Sequence, residues 1–208
     1  MKFCSAASGI HSRGSPGPTG CSWAETGGLP TPTGAPVAIL DGGPITAVRT
    51  AAVSGLAVAR FGPGADLLAG RAPRAAIIGA GVQGHSHVEV LGHVTPGVVL
   101  TVFDRVPSQA GSLADVARAT PGIAAVTVAT DAREATDGAD IVILAVPVGS
   151  LPEVARSALT VAAADTVVTD VGSTKREVMD AVEDPRFVGG HPIAGAETSG
   201  VENARAGL

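Results

Sequence analysis

Residues Ala75–His87 read AAIIGAGVQGHSH. An apolar run, Ala75–Ile78, leads directly into Gly79-x-Gly81-x-x-Gly84, and Val82–His93 then follows with helical spacing. Strand, glycine turn and helix in that order give three glycines a specific meaning. Gly79 allows the tight turn, Gly81 lets a pyrophosphate approach the backbone, and Gly84 lets the helix pack close to the strand. Ala80, Val82 and Gln83 complete the loop. The helix start presents free N–H groups and its positive dipole end to the phosphates. Asp104 ends the next apolar run, VVLTVFD, twenty residues beyond Gly84. An acid there accepts hydrogen bonds from a ribose 2′-hydroxyl, which favours NAD, while Arg105 beside it accommodates the 2′-phosphate of NADP.

Outward from this loop the chain alternates. Strands are expected at Val98–Phe103, Ala124–Val128, Ile141–Ala145, Thr166–Asp170 and Arg186–Val188, and helices at Ser108–Ala119, Ser150–Leu159 and Ser173–Val182. Continuously apolar strands separated by helices indicate a parallel sheet covered on both faces. The expected fold class is therefore α/β, a doubly wound parallel sheet of Rossmann type spanning residues 71–208. Upstream, residues 36–70 form a lead-in: VAIL reads as a short strand and ITAVRTAAVSGLAVARF as a helix. In that helix Ile45, Val48, Ala52, Val53, Leu56 and Ala59 recur at helical spacing, and Gly62-Pro63-Gly64 stops it. Residues 1–35, with SRGSPGPTG and GGLPTPTGAP, read as a disordered tail. The chain ends at Leu208 within a helical pattern, SGVENARAGL, which predicts a truncated C-terminus.

Composition excludes several classes. Hydrophobic residues make up 45% and charged residues 16%, too apolar for a disordered chain and too poor in charge for a coiled coil. The net charge of −5 argues against a nucleic-acid partner, and four Phe, one Trp and no Tyr leave no stacking platform for bases. No apolar run reaches the ~18 residues needed to span a bilayer, so no membrane partner is expected. Cys4 and Cys21 make neither a disulfide framework nor a metal spacing, and the default setting is cytoplasmic. His85, His87 and His93 share one helix, but residues two apart face different ways, so no metal site is expected.

The later strands end on polar groups. ILAVPV places Val146 and Pro147 at the carboxyl edge, where such sheets bind ligands. VVTDVGSTK brings Asp170, Gly172, Ser173 and Lys175 to the same edge, and FVGGHPIAGAETSG adds His191 and Glu197. A histidine beside a nicotinamide hydrogen-bonds a substrate hydroxyl and serves as base or polariser. Ser173 binds a carboxylate or hydroxyl, or caps the following helix. Lys175 is either a substrate contact or a solvated first-turn residue.

Two resemblances divide the chain. From about residue 34 to 140, AILDGGPITAVRTAAVSGLAVARF, RAAIIGAGVQGHSHVEVL, VFDR and DAREATDGADIV resemble the ornithine cyclodeaminase/μ-crystallin family. That resemblance implies that Arg49 grips a substrate carboxylate. From about residue 139 onward, ADIVILAVPV, VVTDVGSTKREV and FVGGHPIAGAETSGVENARAGL resemble the nucleotide-binding domain of prephenate/arogenate dehydrogenase. This implies that Ser173 holds substrate, His191 is catalytic and Glu197 is a gating acid. At Ala196 a threonine is common in that family. The join falls near Gly138–Val142, which marks an apparent chimera.

The resulting expectation is an NAD(P)-dependent oxidoreductase acting on a small molecule, resembling prephenate dehydrogenase. Its reaction is the oxidative decarboxylation of prephenate or arogenate in tyrosine biosynthesis, with homo-oligomers implied for intact relatives. The alternatives are an ornithine cyclodeaminase-like deaminating cyclisation and a non-catalytic dinucleotide-binding fragment.

Overall fold

The structure, a computed structural model, describes residues 26–30, 36–64 and 68–190, and side chains from Asp41 onward. The chain divides into two compact units, Met1–Ile45 and Thr46–Leu208.

The larger unit holds a six-stranded sheet. Its strands are β3 (Arg74–Ile78), β4 (Val98–Phe103), β5 (Ile123–Val128), β6 (Ile141–Leu144), β7 (Val167–Asp170) and β8 (Phe187–Val188), after two earlier strands described below. The order across the sheet is β5-β4-β3-β6-β7-β8, and every neighbouring pair is parallel. The chain thus winds outward from β3 to one edge, crosses back to β6, and winds to the other edge. This is the doubly wound Rossmann-type topology read from the sequence.

The strands are runs of Ala, Val, Ile and Leu because both faces are covered. The period of two sends alternate residues to opposite layers. Ala76 and Ile78 of β3, with Val142 and Leu144 of β6, join one core with Leu151, Ala155 and Val178. Ala75, Ile77, Ile141 and Ile143 join the other with Val88, Leu91, Leu113 and Ala117. The first layer is covered by helices at Ala132–Thr136, Leu151–Leu159 and Arg176–Ala181. The second is covered by helices at Val82–Val94 and Pro107–Ala119.

In chain order these helices follow α1 (Gly42–Phe61). They are α2 (Val82–Val94), α3 (Pro107–Ala119), α4 (Ala132–Thr136), α5 (Leu151–Leu159) and α6 (Arg176–Ala181). The short α4 was not anticipated. Its start is fixed by Asp131, whose carboxylate accepts the N–H groups of Arg133 and Glu134, both at 2.8 Å.

Helix α1 forms where expected and ends before Gly62, but a different face packs. Ala47, Thr50, Ala51 and Gly55 are buried, while Val48 and Leu56 each stand 63% exposed. Small residues decide this. A side chain at position 55 would run into Val90 of α2, so glycine lets the two helices approach closely. Within the smaller unit, β1 (Thr26–Pro30) pairs antiparallel with β2 (Pro36–Asp41), with a register shift at Leu29/Pro30. Thr26–Pro30 therefore corrects part of the stretch read as a disordered tail; residues 1–25 and 31–35 lie outside the described residues.

Candidate functional site

The crossing between β3 and β6 places two loops side by side at the carboxyl edge, the position where open α/β sheets take ligands. Gly79 N–H donates to Phe103 O at 2.8 Å, and Ala145 N–H donates to Ile78 O at 2.7 Å. Gly79 has φ +110°, and a Cβ there would lie 2.6 Å from the Ala145 carbonyl carbon. The tight turn is thus enforced by backbone packed against backbone. At Gly84 an added Cβ would strike the Gly79 carbonyl, so close helix packing is met against the loop itself. Above Gly81 nothing lies within 4 Å of a Cβ position. Gly81 is also the N-cap of α2; among the described residues no side chain caps that helix, and its first turn carries no acid. Unmet N–H donors below open space fit a dinucleotide pyrophosphate.

Asp104 lies beside this loop. Its Oδ2 accepts Ala80 N–H at 2.7 Å, and its Oδ1 accepts Val106 N–H at 2.8 Å. The carboxylate is half-buried, and each oxygen retains acceptor capacity for a hydroxyl. Arg105 is exposed, as are Gly81 and Val82, and the Gln83 Oε1 is buried without a partner among the described residues. His87 is buried. Its Nδ1 lies 2.6 Å from Gln83 O and its Nε2 2.9 Å from Ser54 Oγ. A carbonyl only accepts, so Nδ1 carries the proton and Nε2 accepts from the serine of α1. Burial pushes the His87 pKa down, against the backbone hydrogen bond. Among the described residues no group of three His, Cys, Asp or Glu is placed to hold a metal.

The next strands continue the rim. Val146 is half-buried and Pro147 exposed; a 3-10 turn, Val148–Ser150, then enters α5. At the end of β7, Asp170 is buried, and its carboxylate accepts Gly172 N–H at 2.8 Å and Gly190 N–H at 3.2 Å. Lys175 Nζ forms an ion pair with it. The helix expected from Ser173 begins only at Arg176, with Lys175 at its N-cap. The first residues are instead drawn into the turn around Asp170. Ser173 stands exposed in that turn, free of the capping position. His191 and Glu197 lie outside the described residues, which reach Gly190. Arg49 is exposed on α1 and, among the described residues, makes no hydrogen bond or ion pair. The structure thus brings Gly79–Gly84, Asp104, Val146 and Pro147 together, with Ser173 and Lys175 two strands along. Sequence reasoning placed Asp170 at this edge but gave it no role. The signal was an acid closing an apolar strand, with Gly, Ser and Lys within five residues.

The fold and this loop define a Rossmann-type nucleotide-binding domain. Residues 112–208 match the family described as prephenate dehydrogenase, nucleotide-binding domain. The ketimine reductase mu-crystallin of Mus musculus is 34% identical over 111 residues, covering 53% of this chain and 32% of that protein. The solved Δ1-pyrroline-2-carboxylate reductase of Thermococcus litoralis, in complex with NADH and L-proline, superposes with a TM-score of 0.54. It is 30% identical and covers 70% of this chain and 42% of that one. Prephenate dehydrogenase from A. aeolicus, in complex with hydroxyphenyl propionate and NAD+, gives 0.51 at 31% identity, covering 63% and 45%. The chain spans 20–42% of the length of the curated relatives it matches. It is therefore similar to both families read from its sequence. The dehydrogenase match begins inside α3, upstream of the expected join, and takes in β5 and α4.

Proposed function

We propose that this chain binds NAD at the Gly79–Gly84 loop and forms the cofactor-binding part of an NAD(P)-dependent oxidoreductase resembling prephenate dehydrogenase, acting on prephenate or arogenate. The observation that carries the reading is the open, uncapped start of α2 with Asp104 hydrogen-bonded to Ala80 beside it. The family match over residues 112–208 supports the substrate class.

The N–H groups of α2 hold the pyrophosphate, Asp104 accepts from the ribose, and Val146 and Pro147 line the nicotinamide side. NAD bound there would supply a hydride acceptor for the ring carbon that bears the substrate hydroxyl. His191 takes the proton of that hydroxyl, Ser173 holds the substrate, Glu197 gates the site, and the ring carboxylate leaves as CO2. The reading carries with it a role in tyrosine biosynthesis, a cytoplasmic setting and the homo-oligomeric state implied for its relatives.

Calorimetry with NAD+ and NADP+, on wild type and Asp104→Ala, tests the cofactor site. NAD+ is expected to bind more tightly than NADP+. Losing a charged acceptor is expected to weaken NAD+ by about tenfold or more. No heat with either cofactor would remove every oxidoreductase reading at once.

A second reading, a cyclodeaminase-like enzyme, is favoured by the exposed Arg49 and by the likeness to the pyrroline-2-carboxylate reductase. Arg49→Ala abolishes activity on an amino acid or cyclic imine under that reading, whereas His191→Ala abolishes prephenate oxidation under the first. Cofactor binding without turnover on either substrate class supports a non-catalytic module.

A further inference from the structure

We propose that Asp170 is a positioning residue of this rim, and that Lys175 acts through it and not on substrate. The carboxylate has no exposed surface, yet it takes three donors from two segments. Gly172 N–H reaches it from the turn that carries Ser173, Lys175 Nζ from the start of α6, and Gly190 N–H from the end of β8. Its strand pairs it in register with Leu144, and Leu144 and Val168 belong to the apolar layer on this side of the sheet. A charge placed there requires a partner and satisfied lone pairs. Lys175 supplies the opposite charge and the two amides supply the hydrogen bonds.

The glycines are fitted to this pair. A Cβ at Gly190 would lie 2.5 Å from Asp170 O and 2.9 Å from Thr169 Oγ1. One at Gly189 would lie 3.0 Å from Met179 Sδ and 3.2 Å from Lys175 Cδ. Thr169 Oγ1 adds a bond to Val188 O at 2.7 Å. The backbone immediately before His191 is therefore held by the Asp170–Lys175 pair from one side and by β7 from the other. The same carboxylate fixes the turn bearing Ser173. A lysine committed in this way cannot also release its ammonium to a substrate without leaving Asp170 unpaired. The functional meaning rests on the reading that this rim binds substrate; the geometry does not.

The chain has two lysines, Lys2 and Lys175, so lysine chemistry is resolved site by site. Acetylation by acetic anhydride, with free Nα-acetyl-lysine as competitor, is measured together with amide exchange at Gly172 and Gly190 by NMR. Lys175 is expected to react about tenfold more slowly than the free amine and to recover that factor in Asp170→Asn, because its ammonium is engaged and largely covered. Gly190 exchange is expected to rise about tenfold in Asp170→Asn and in Lys175→Met, and to stay slow in Lys175→Arg, which keeps the pair. The lysine variants carry the same readout should Asp170→Asn not fold. With turnover, Lys175→Met lowers kcat, with or without a rise in KM, and Lys175→Arg restores it. Rapid labelling of Lys175 in wild type would overturn the proposal. So would Gly190 exchange unchanged in Lys175→Met, or a rise in KM alone. Normal labelling and exchange results beside a silent NAD+ titration would keep the positioning role and discard the cofactor reading.

Discussion

The two halves of the sheet use the same device for different ends. In the half β5-β4-β3, β4 runs into Asp104, which accepts an amide two residues on, at Val106, and one from the neighbouring loop, at Ala80. In the half β6-β7-β8, β7 ends in Asp170, which accepts an amide two residues on, at Gly172, and one from the segment after β8, at Gly190. The arrangement repeats, but the charge does not. Asp104 is half-buried, with no cation among its described partners; Asp170 is buried and neutralised by Lys175. An acceptor left open can take a ligand hydroxyl, whereas one closed by a lysine can only organise its surroundings. Two acids that look equivalent at strand ends therefore divide into an open acceptor and a closed anchor.

The first half is shaped by steric exclusion and should break without regard to charge. Gly79 combines φ +110° with a carbonyl carbon 2.6 Å from any added Cβ, and that neighbour is backbone, which cannot swing away. Gly79→Ala is expected to cost about 3 kcal/mol, the sum of an unfavourable positive φ and overpacking. Urea unfolding at pH 6 and pH 8 should show the same loss at both. A loss smaller than about 1 kcal/mol would mean that the loop relaxes and is not pinned against Ala145.

How much of this was legible follows from the same contrast. The glycine loop, its strand and its helix were readable because an apolar run, three glycines at fixed spacing and a helical pattern follow one another within a single short stretch. The alternating apolar runs likewise gave all six strands of the sheet to within a residue or two. The packing face of α1 was not readable from spacing. Ile45, Val48 and Leu56 are the larger apolar residues, but Gly55 meets Val90 of a distant segment, and that contact selects the small face. Asp170 was visible as an acid at a strand end, but its closure depends on Gly190, twenty residues away. Helix α4 is too short for periodicity and was signalled only by its Asp131 cap and Glu134.

A second contrast is in pH. On the first half, burial holds His87 neutral, with its pKa below the usual histidine range. Well above pH ~6.5 both folded and unfolded forms are neutral and the stability is fully present. As pH falls below that value the unfolded chain takes up a proton that the folded one refuses, so stability drops, by at most about 1.4 kcal/mol per pH unit. The drop stops below the folded pKa. Replacement by His87→Gln should flatten the unfolding free energy across this mildly acidic window. On the second half, Asp184 is held at about 2, first by hydrogen bonding from the Arg186 side chain. Its stabilisation persists through that window and is lost only as pH falls from ~4 toward 2. Identical slopes for wild type and His87→Gln would show that α1 and α2 do not bury this imidazole.

The smallest effect is expected where the halves meet. Asp140, just before β6, accepts Arg74 N–H at 2.8 Å from the start of β3 and both terminal nitrogens of Arg71, at 2.9 and 2.5 Å. Burial works against its charge, but hydrogen bonding from Arg71 and Arg74 outweighs it and lowers the pKa. A lowered carboxyl pKa stabilises the fold above the unfolded value of ~3.9, and that contribution is lost as pH falls through the folded one. Arg71 is nevertheless 47% exposed, so screening and side-chain entropy offset most of the attraction. Arg71→Ala is expected to move the urea midpoint at pH 7 less than either change above, and less still in 1 M salt. The hydrophobic pairing of β3 with β6, Ala75 through Ile78 against Ile141 through Leu144, then carries the junction. A loss as large as that of Gly79→Ala would reverse that order, because an exposed pair of such weight is acting as the clasp between two halves that do not otherwise fit.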